Sequence, residues 1–130
     1  MKTNLIKKSK GMTLIELTVV ILVLLSLISV LFIGAQAWKE GSDRSQCILN
    51  IRNAQTAGRS FQNMNQKAPG DAFTAATDVY GSGKFLETAP TCPSAGSYTW
   101  ATTIPAVGTL FMTCSLSGTK NHVPGSISGW

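Results

Sequence analysis

Glu16 is the one charged residue between Lys10 and Lys39, and it stands at the head of an apolar run, LTVVILVLLSLISVLFIG. A carboxylate at membrane depth costs about 2.5–3.5 kcal/mol even on the lenient insertion scale, so it needs a cationic partner. No Lys or Arg follows it until Lys39, and the lysines before Gly11 reach it only by snorkelling. A cut after Gly11 would give Met12 a free amine, cationic because such groups have a pKa of about 7.7–8.0. On a neighbouring copy, that amine would neutralise Glu16. The chemistry implied here is charge pairing in an apolar medium. The other reactive side chains are Cys47, Cys92, Cys114 and the single histidine, His122. With one histidine and no CxxC pair, a cysteine zinc site is not expected, and His122 beside Pro124 reads as an exposed loop residue.

The elements that must position these groups follow from patterning. Leu17 to Trp38 is 22 residues without charge or proline. As a helix it would span roughly 33 Å, enough for a hydrocarbon core of about 30 Å. Apolar residues surround the whole circumference, which argues against a buried core helix. Lys2, Lys7, Lys8 and Lys10 flank one end only and predict a cytoplasmic N-terminus with the rest exported. A cleaved signal peptide would use Ile33-Gly34-Ala35-Gln36-Ala37 as its small-residue site. The run is longer than such a segment, Glu16 interrupts its start, and Trp38 sits where an interfacial aromatic belongs.

From Arg44 to Asn65, Cys47, Ile51, Ala54, Gly58 and Phe61 recur at spacings of three and four, an apolar helical stripe needing cover. Arg44, Arg52, Gln55, Arg59 and Asn63 fall mostly off it. Ala68-Pro69-Gly70-Asp71 ends the pattern. Asp71 to Val79 predicts a short helix with Asp71 as N-cap. Tyr98–Thr102 and Thr109–Cys114 read as two antiparallel strands, with Ile104–Gly108 as the turn. Gly81-Ser82-Gly83 is a loop; with no strand before it, it makes no phosphate cradle. The expected class is α+β: a long N-terminal helix, membrane half plus amphipathic stalk, with a small antiparallel sheet head packed on it. The divisions are 1–11 leader, 12–38 membrane and assembly helix, 39–67 stalk and 68–130 head.

An isolated hairpin is marginal in water, and in an exported body Cys92 and Cys114 look like a staple. Closing a loop of that size contributes about 3 kcal/mol in the chain-entropy picture. Cys47 is then a buried thiol or the true partner of one of the other two, since three cysteines allow three single pairings.

The net charge of +5 does not describe the body. Four of the 11 Lys and Arg precede Gly11, which leaves seven against six Asp and Glu. The head has only Lys84 and Lys120 beyond Lys67, so nucleic acid is not an expected partner.

Lys10-Gly11-Met12-Thr13-Leu14-Ile15-Glu16 followed by a long apolar run resembles the N-terminus of type IV pilins and type II secretion pseudopilins. The resemblance implies cleavage after Gly11 by a prepilin peptidase and N-methylation of Met12. It also implies that Glu16, fifth in the mature chain, pairs with a subunit amine during assembly. Met12 stands where the family usually has Phe, and the helix-kinking proline common deeper in that segment is absent. A second, narrower resemblance runs through Cys47-Ile48-Leu49-Asn50-Ile51-Arg52, Pro90-Thr91-Cys92-Pro93, Gly96-Ser97-Tyr98-Thr99, Thr113-Cys114-Ser115 and His122-Val123-Pro124. These segments are similar to short secretion-type pseudopilins of planctomycete and verrucomicrobial bacteria. The acidic calcium loop of major pseudopilins has no counterpart, because nothing acidic follows Glu87.

The resemblance implies a non-enzymatic filament subunit without cofactor. Its implied partners are membrane lipid, the peptidase, copies of itself, and an inner-membrane assembly platform with its ATPase. The implied location is single-pass in the inner membrane with the head periplasmic, then in a periplasmic or extracellular filament. The alternative is an uncleaved anchored binding protein contacting its ligand through Trp100 and Trp130.

Overall fold

The computed structural model describes Gly11 and residues 13–130. The first element, α1, is a helix over Leu14–Met64, 51 residues long. Up to Trp38 its apolar side chains are exposed, and it is long and apolar enough to cross a membrane. Its hydroxyls turn back onto the helix: Thr18 donates to the Ile15 carbonyl, Ser26 to Val23 and Ser29 to Leu25, at 2.8–2.9 Å. Such back-bonding leaves no free hydroxyl donor facing a medium without water. Gly34 and the polar stretch Lys39–Arg44 lie within the helix without interrupting it. This single N-terminal apolar helix is compatible with a single-pass anchor.

Beyond Met64, Gln66 takes a left-handed conformation (φ 51°). The Gln66 N–H bonds the Asn63 carbonyl and the Lys67 N–H the Gln62 carbonyl, at 3.4 and 2.9 Å. This is a Schellman closure that satisfies carbonyls the helix end would otherwise leave open.

The chain divides into two compact units, one ending at Trp38 and one beginning at Lys39. The second holds the rest of α1, a one-turn helix α2 (Ala75–Asp78), and strands β1 (Tyr98–Trp100) and β2 (Met112–Cys114). The strands are antiparallel, with Tyr98 opposite Cys114 and Trp100 opposite Met112. The α+β class with a long helix and a small antiparallel sheet is therefore present.

Two adjoining cores fill the unit. One joins Cys47, Ile51, Ala54, Cys92, Met112 and Cys114; the other joins Ala57, Phe73, Ala75, Val79, Ile104 and Phe111. Trp100 packs against both. Phe111 meets Phe73 edge-on at 5.1 Å, and Phe73 stands 6.0 Å from Phe61.

The strands are shorter than their alternation predicts because a third segment competes for one of them. Residues 102–104 bond instead to 70–73: Phe73 N–H to Thr102 O, Ile104 N–H to Asp71 O, and Gly70 N–H to Ile104 O, at 2.9–3.0 Å. Ile104, expected in a turn, is consequently buried. The same pairing keeps Asp71 to Phe73 extended, so the short helix starts later, with Thr74 as its N-cap. Asp71 closes the preceding turn by accepting the Ala68 N–H at 2.7 Å.

The buried helix face is Cys47, Ile51, Ala54, Gln55, Ala57 and Gly58. Gln55, placed off the stripe by its polarity, lies on it. Its amide donates to Thr109 O at 3.1 Å and accepts from Phe111 N at 2.9 Å, as a strand neighbour would.

Gly58 is where the head comes closest to the helix. A Cβ there would lie 2.7–2.9 Å from three ring atoms of Phe111. That ring is fully buried between Phe73 and the Arg59 guanidinium, which lies 5.0 Å from its centre. Alanine normally stabilises a helix interior by about 1 kcal/mol relative to glycine. Gly58→Ala should instead destabilise this unit by about 1–3 kcal/mol through overpacking, read as a lower denaturant midpoint at unchanged slope.

Candidate functional site

Two places carry chemistry, one in each unit. At the helix start, Glu16 Oε2 accepts the Thr13 N–H at 3.2 Å, and Thr13 Oγ1 accepts the Glu16 N–H at 3.3 Å. This reciprocal pair is a capping box: Ser or Thr at the N-cap, Glu or Gln three residues on. It also sets a negative charge against the positive end of the helix dipole. The T-x-x-E spacing is present in the sequence at the edge of the apolar run, where the carboxylate reads first as a buried charge. The Glu16 side chain is exposed, so its second oxygen is open to another donor. Met12 and the Lys2, Lys7, Lys8 and Lys10 cluster lie outside the described residues, and with them the implied cleavage and methylation.

The second place gathers Cys47, Cys92, Cys114 and His122. All four are buried, and their ligand atoms lie within 4.8 Å of one another. Burial corrects the expectation that His122 is an exposed loop residue: it is 1% exposed. Cys47 comes from α1, Cys92 from the loop before β1, Cys114 from the end of β2, and His122 from the loop that follows. That last loop folds back because the Lys120 and His122 N–H groups both bond the Leu116 carbonyl. Arg44 then holds it through Nε–H to Asn121 O at 2.9 Å. Cys92 Sγ lies 3.9 Å from Cys114 Sγ, and His122 Nδ1 lies 3.6 Å from the first and 4.0 Å from the second.

The expected Cys92–Cys114 partners are thus neighbours, yet all three cysteines are free. Cys47, expected as a buried thiol or as the partner of one of the other two, lies buried beside them, and the imidazole of His122 shares the same pocket.

The surroundings of the sulfurs are polar at close range. Tyr98 Oη donates to Cys47 Sγ at 3.3 Å and is held by Asn50 Nδ2 at 3.2 Å. The Leu116 N–H points to Cys114 Sγ at 3.5 Å. Burial pushes the Cys47 thiol up to about 12, against the Tyr98 hydrogen bond. At Cys92 burial works in the same direction, but the Ser94 and Gly96 backbone together with the neighbouring Cys114 and Cys47 thiols hold the thiol below its ordinary value. Tyr98 itself is pushed up by burial and by Cys47. Gly96 makes the fit possible, since a Cβ there would lie 3.0 Å from Leu116 and 3.1 Å from Cys114 Sγ. Such a group of donors can close a disulfide or hold a thiophilic cation.

Sequence reasoning missed this cluster because its four members are separated by 45, 22 and 8 positions, with no short ligand repeat. The one available signal was that the segments quoted for the narrower resemblance contain all three cysteines and the histidine.

Trp100 and Trp130, the contact residues of the anchored-receptor alternative, are both half-buried and pack against the cores. A groove of about 440 Å³ runs past Arg52, Gln55, Arg59 and Trp130. Its cations are engaged: Arg52 lies over the Trp130 ring at 5.2 Å. Arg59 donates to the Pro105, Ala106 and Trp130 main-chain oxygens at 2.9–3.0 Å.

No family model, curated protein or solved structure matches the chain.

Proposed function

We propose that this chain is a structural subunit of a type IV pilus-like or type II secretion pseudopilus filament. The supporting observation is Glu16 in the first turn of a long helix whose following apolar side chains are exposed all round. In lipid such a surface is at home. In a filament it would be covered by the same helix of neighbouring copies, with little change in apolar burial. Direction then comes from charge. A prepilin peptidase cuts after Gly11 and methylates Met12. The new cationic amine pairs with Glu16 of another subunit as an inner-membrane platform and its ATPase draw the chain from the bilayer. The head stays on the periplasmic side and later coats the filament. No step in this reading needs a catalytic group of the chain itself.

The rival is an uncleaved, permanently anchored binding protein. Intact mass and N-terminal peptide mass spectrometry of protein from its native membrane separate the two. The filament reading expects a chain beginning at N-methylated Met12. A chain that works while still carrying Lys2 to Gly11 would establish the fixed anchor instead.

A further inference from the structure

We infer that Cys47, Cys92, Cys114 and His122 form a tetrahedral Cys₃His zinc site that ties the helix, the hairpin and the following loop together. Such a site is independent of the filament reading, and its distances fit the metal. Zinc takes thiolate sulfur at about 2.3 Å and imidazole nitrogen at about 2.0–2.1 Å. In a tetrahedron those radii place sulfurs about 3.8 Å apart and sulfur and nitrogen about 3.6 Å apart. The observed edges are 3.9 Å for Cys92 to Cys114, and 3.6 and 4.0 Å from these sulfurs to His122 Nδ1. Cys47 Sγ completes the set, with all four donor atoms within 4.8 Å of one another, so side-chain shifts of about 1 Å or less close the tetrahedron.

The donor set is also a chemical match. Thiolate with imidazole suits zinc, and closed four-ligand sites of this composition are structural. A disulfide would account for two sulfurs only. It leaves unexplained why an imidazole, and not an apolar side chain, fills the remaining space with its Nδ1 aimed at the sulfurs.

The outer groups point the same way. Two of the sulfurs receive a hydrogen bond, Cys47 from the Tyr98 hydroxyl and Cys114 from the Leu116 N–H. Donors of this kind orient ligands and stabilise the negative charge of thiolates. Binding replaces three S–H protons by one Zn²⁺, so three protons leave and the site carries a net charge of −1. The need is equally plain. The unit's regular sheet is two strands of three residues, and two small cores carry a long stretch of loop. Domains with so little regular structure are commonly stapled.

The test uses the full chain, extracted in mild detergent without reductant or chelator. Elemental analysis should find about one zinc per chain. Alkylation in denaturant with a chelator, and without reductant, should label all three cysteines. His122→Ala should weaken zinc binding by more than the roughly 10–100-fold that loss of an outer partner costs. His122→Cys, which restores a fourth ligand, should retain the metal. Tyr98→Phe keeps every ligand and should weaken binding by about 10–100-fold, which guards against reading a folding failure as loss of a ligand. Cobalt added to the stripped protein should give the thiolate charge-transfer and ligand-field bands of a tetrahedral site. A metal-free chain with only one cysteine open to alkylation would overturn the proposal in favour of a disulfide. So would a zinc content indifferent to His122→Ala and Tyr98→Phe.

Discussion

Chains carrying Glu16→Gln should be processed normally yet enter filaments at least about 100-fold less well than the parent. The figure follows from the proposed assembly step. Removing one partner of a buried ion pair strands the other and costs about 3–5 kcal/mol; each 1.4 kcal/mol is a factor of about ten. Here the stranded group would be the cationic amine of the neighbouring subunit. The capping box makes glutamine the more informative replacement. Gln at the third helical position keeps the reciprocal bond to Thr13, so the variant loses the charge and keeps the cap. Glu16→Ala loses both, with a cap contribution of about 1 kcal/mol. If Glu16 serves only to start the helix, Gln assembles like the parent and Ala alone is impaired. If the charge drives docking, both fail. Counting assembled against membrane-held subunits in a strain lacking the native chain decides between them, and normal filaments from the Gln variant would end the charge-pairing proposal.

Gln55→Leu should destabilise the second unit by about 2–5 kcal/mol, although leucine is the more apolar side chain and near in size. Gln55 is 4% exposed and makes two bonds to the segment before β2. Leucine would leave the Phe111 N–H and the Thr109 carbonyl without that partner, at about 1–3 kcal/mol each.

Gln55→Glu adds a pH test. A protonated carboxyl can reproduce both bonds, its O–H donating to Thr109 and its carbonyl accepting from Phe111. A carboxylate cannot donate and is desolvated, so its pKa in the folded chain rises above the unfolded value of about 4.3. With the folded pKa raised, the variant should be close to parental stability below about pH 4.3 and lose it as pH rises through the folded value. Denaturant midpoints at several pH values measure this. A Gln55→Glu midpoint that tracks the parent at every pH would show that the two bonds contribute nothing.

The long helix was legible because its causes are local. Continuous apolar residues without proline and a stripe at spacings of three and four act through neighbours in sequence. The antiparallel pair was legible for the same reason, from alternation around Tyr98–Trp100 and Met112–Cys114. What failed had a non-local cause. Strand ends depended on whether 102–104 would pair with 70–73, and the start of α2 moved with that choice. Gln55 read as solvent-facing because polarity is usually a sign of exposure, and only a loop edge 54 residues away supplies its partners.

The membrane-length helix and the place of Glu16 at its start were thus readable from local residues, since both follow from hydrogen bonds and hydropathy within a few turns. The meeting of Cys47, Cys92, Cys114 and His122 comes from the fold alone. Their convergence depends on chain reversals fixed by distant main-chain bonds, on the close approach allowed at Gly96, and on burial that turns a nominal loop histidine inward.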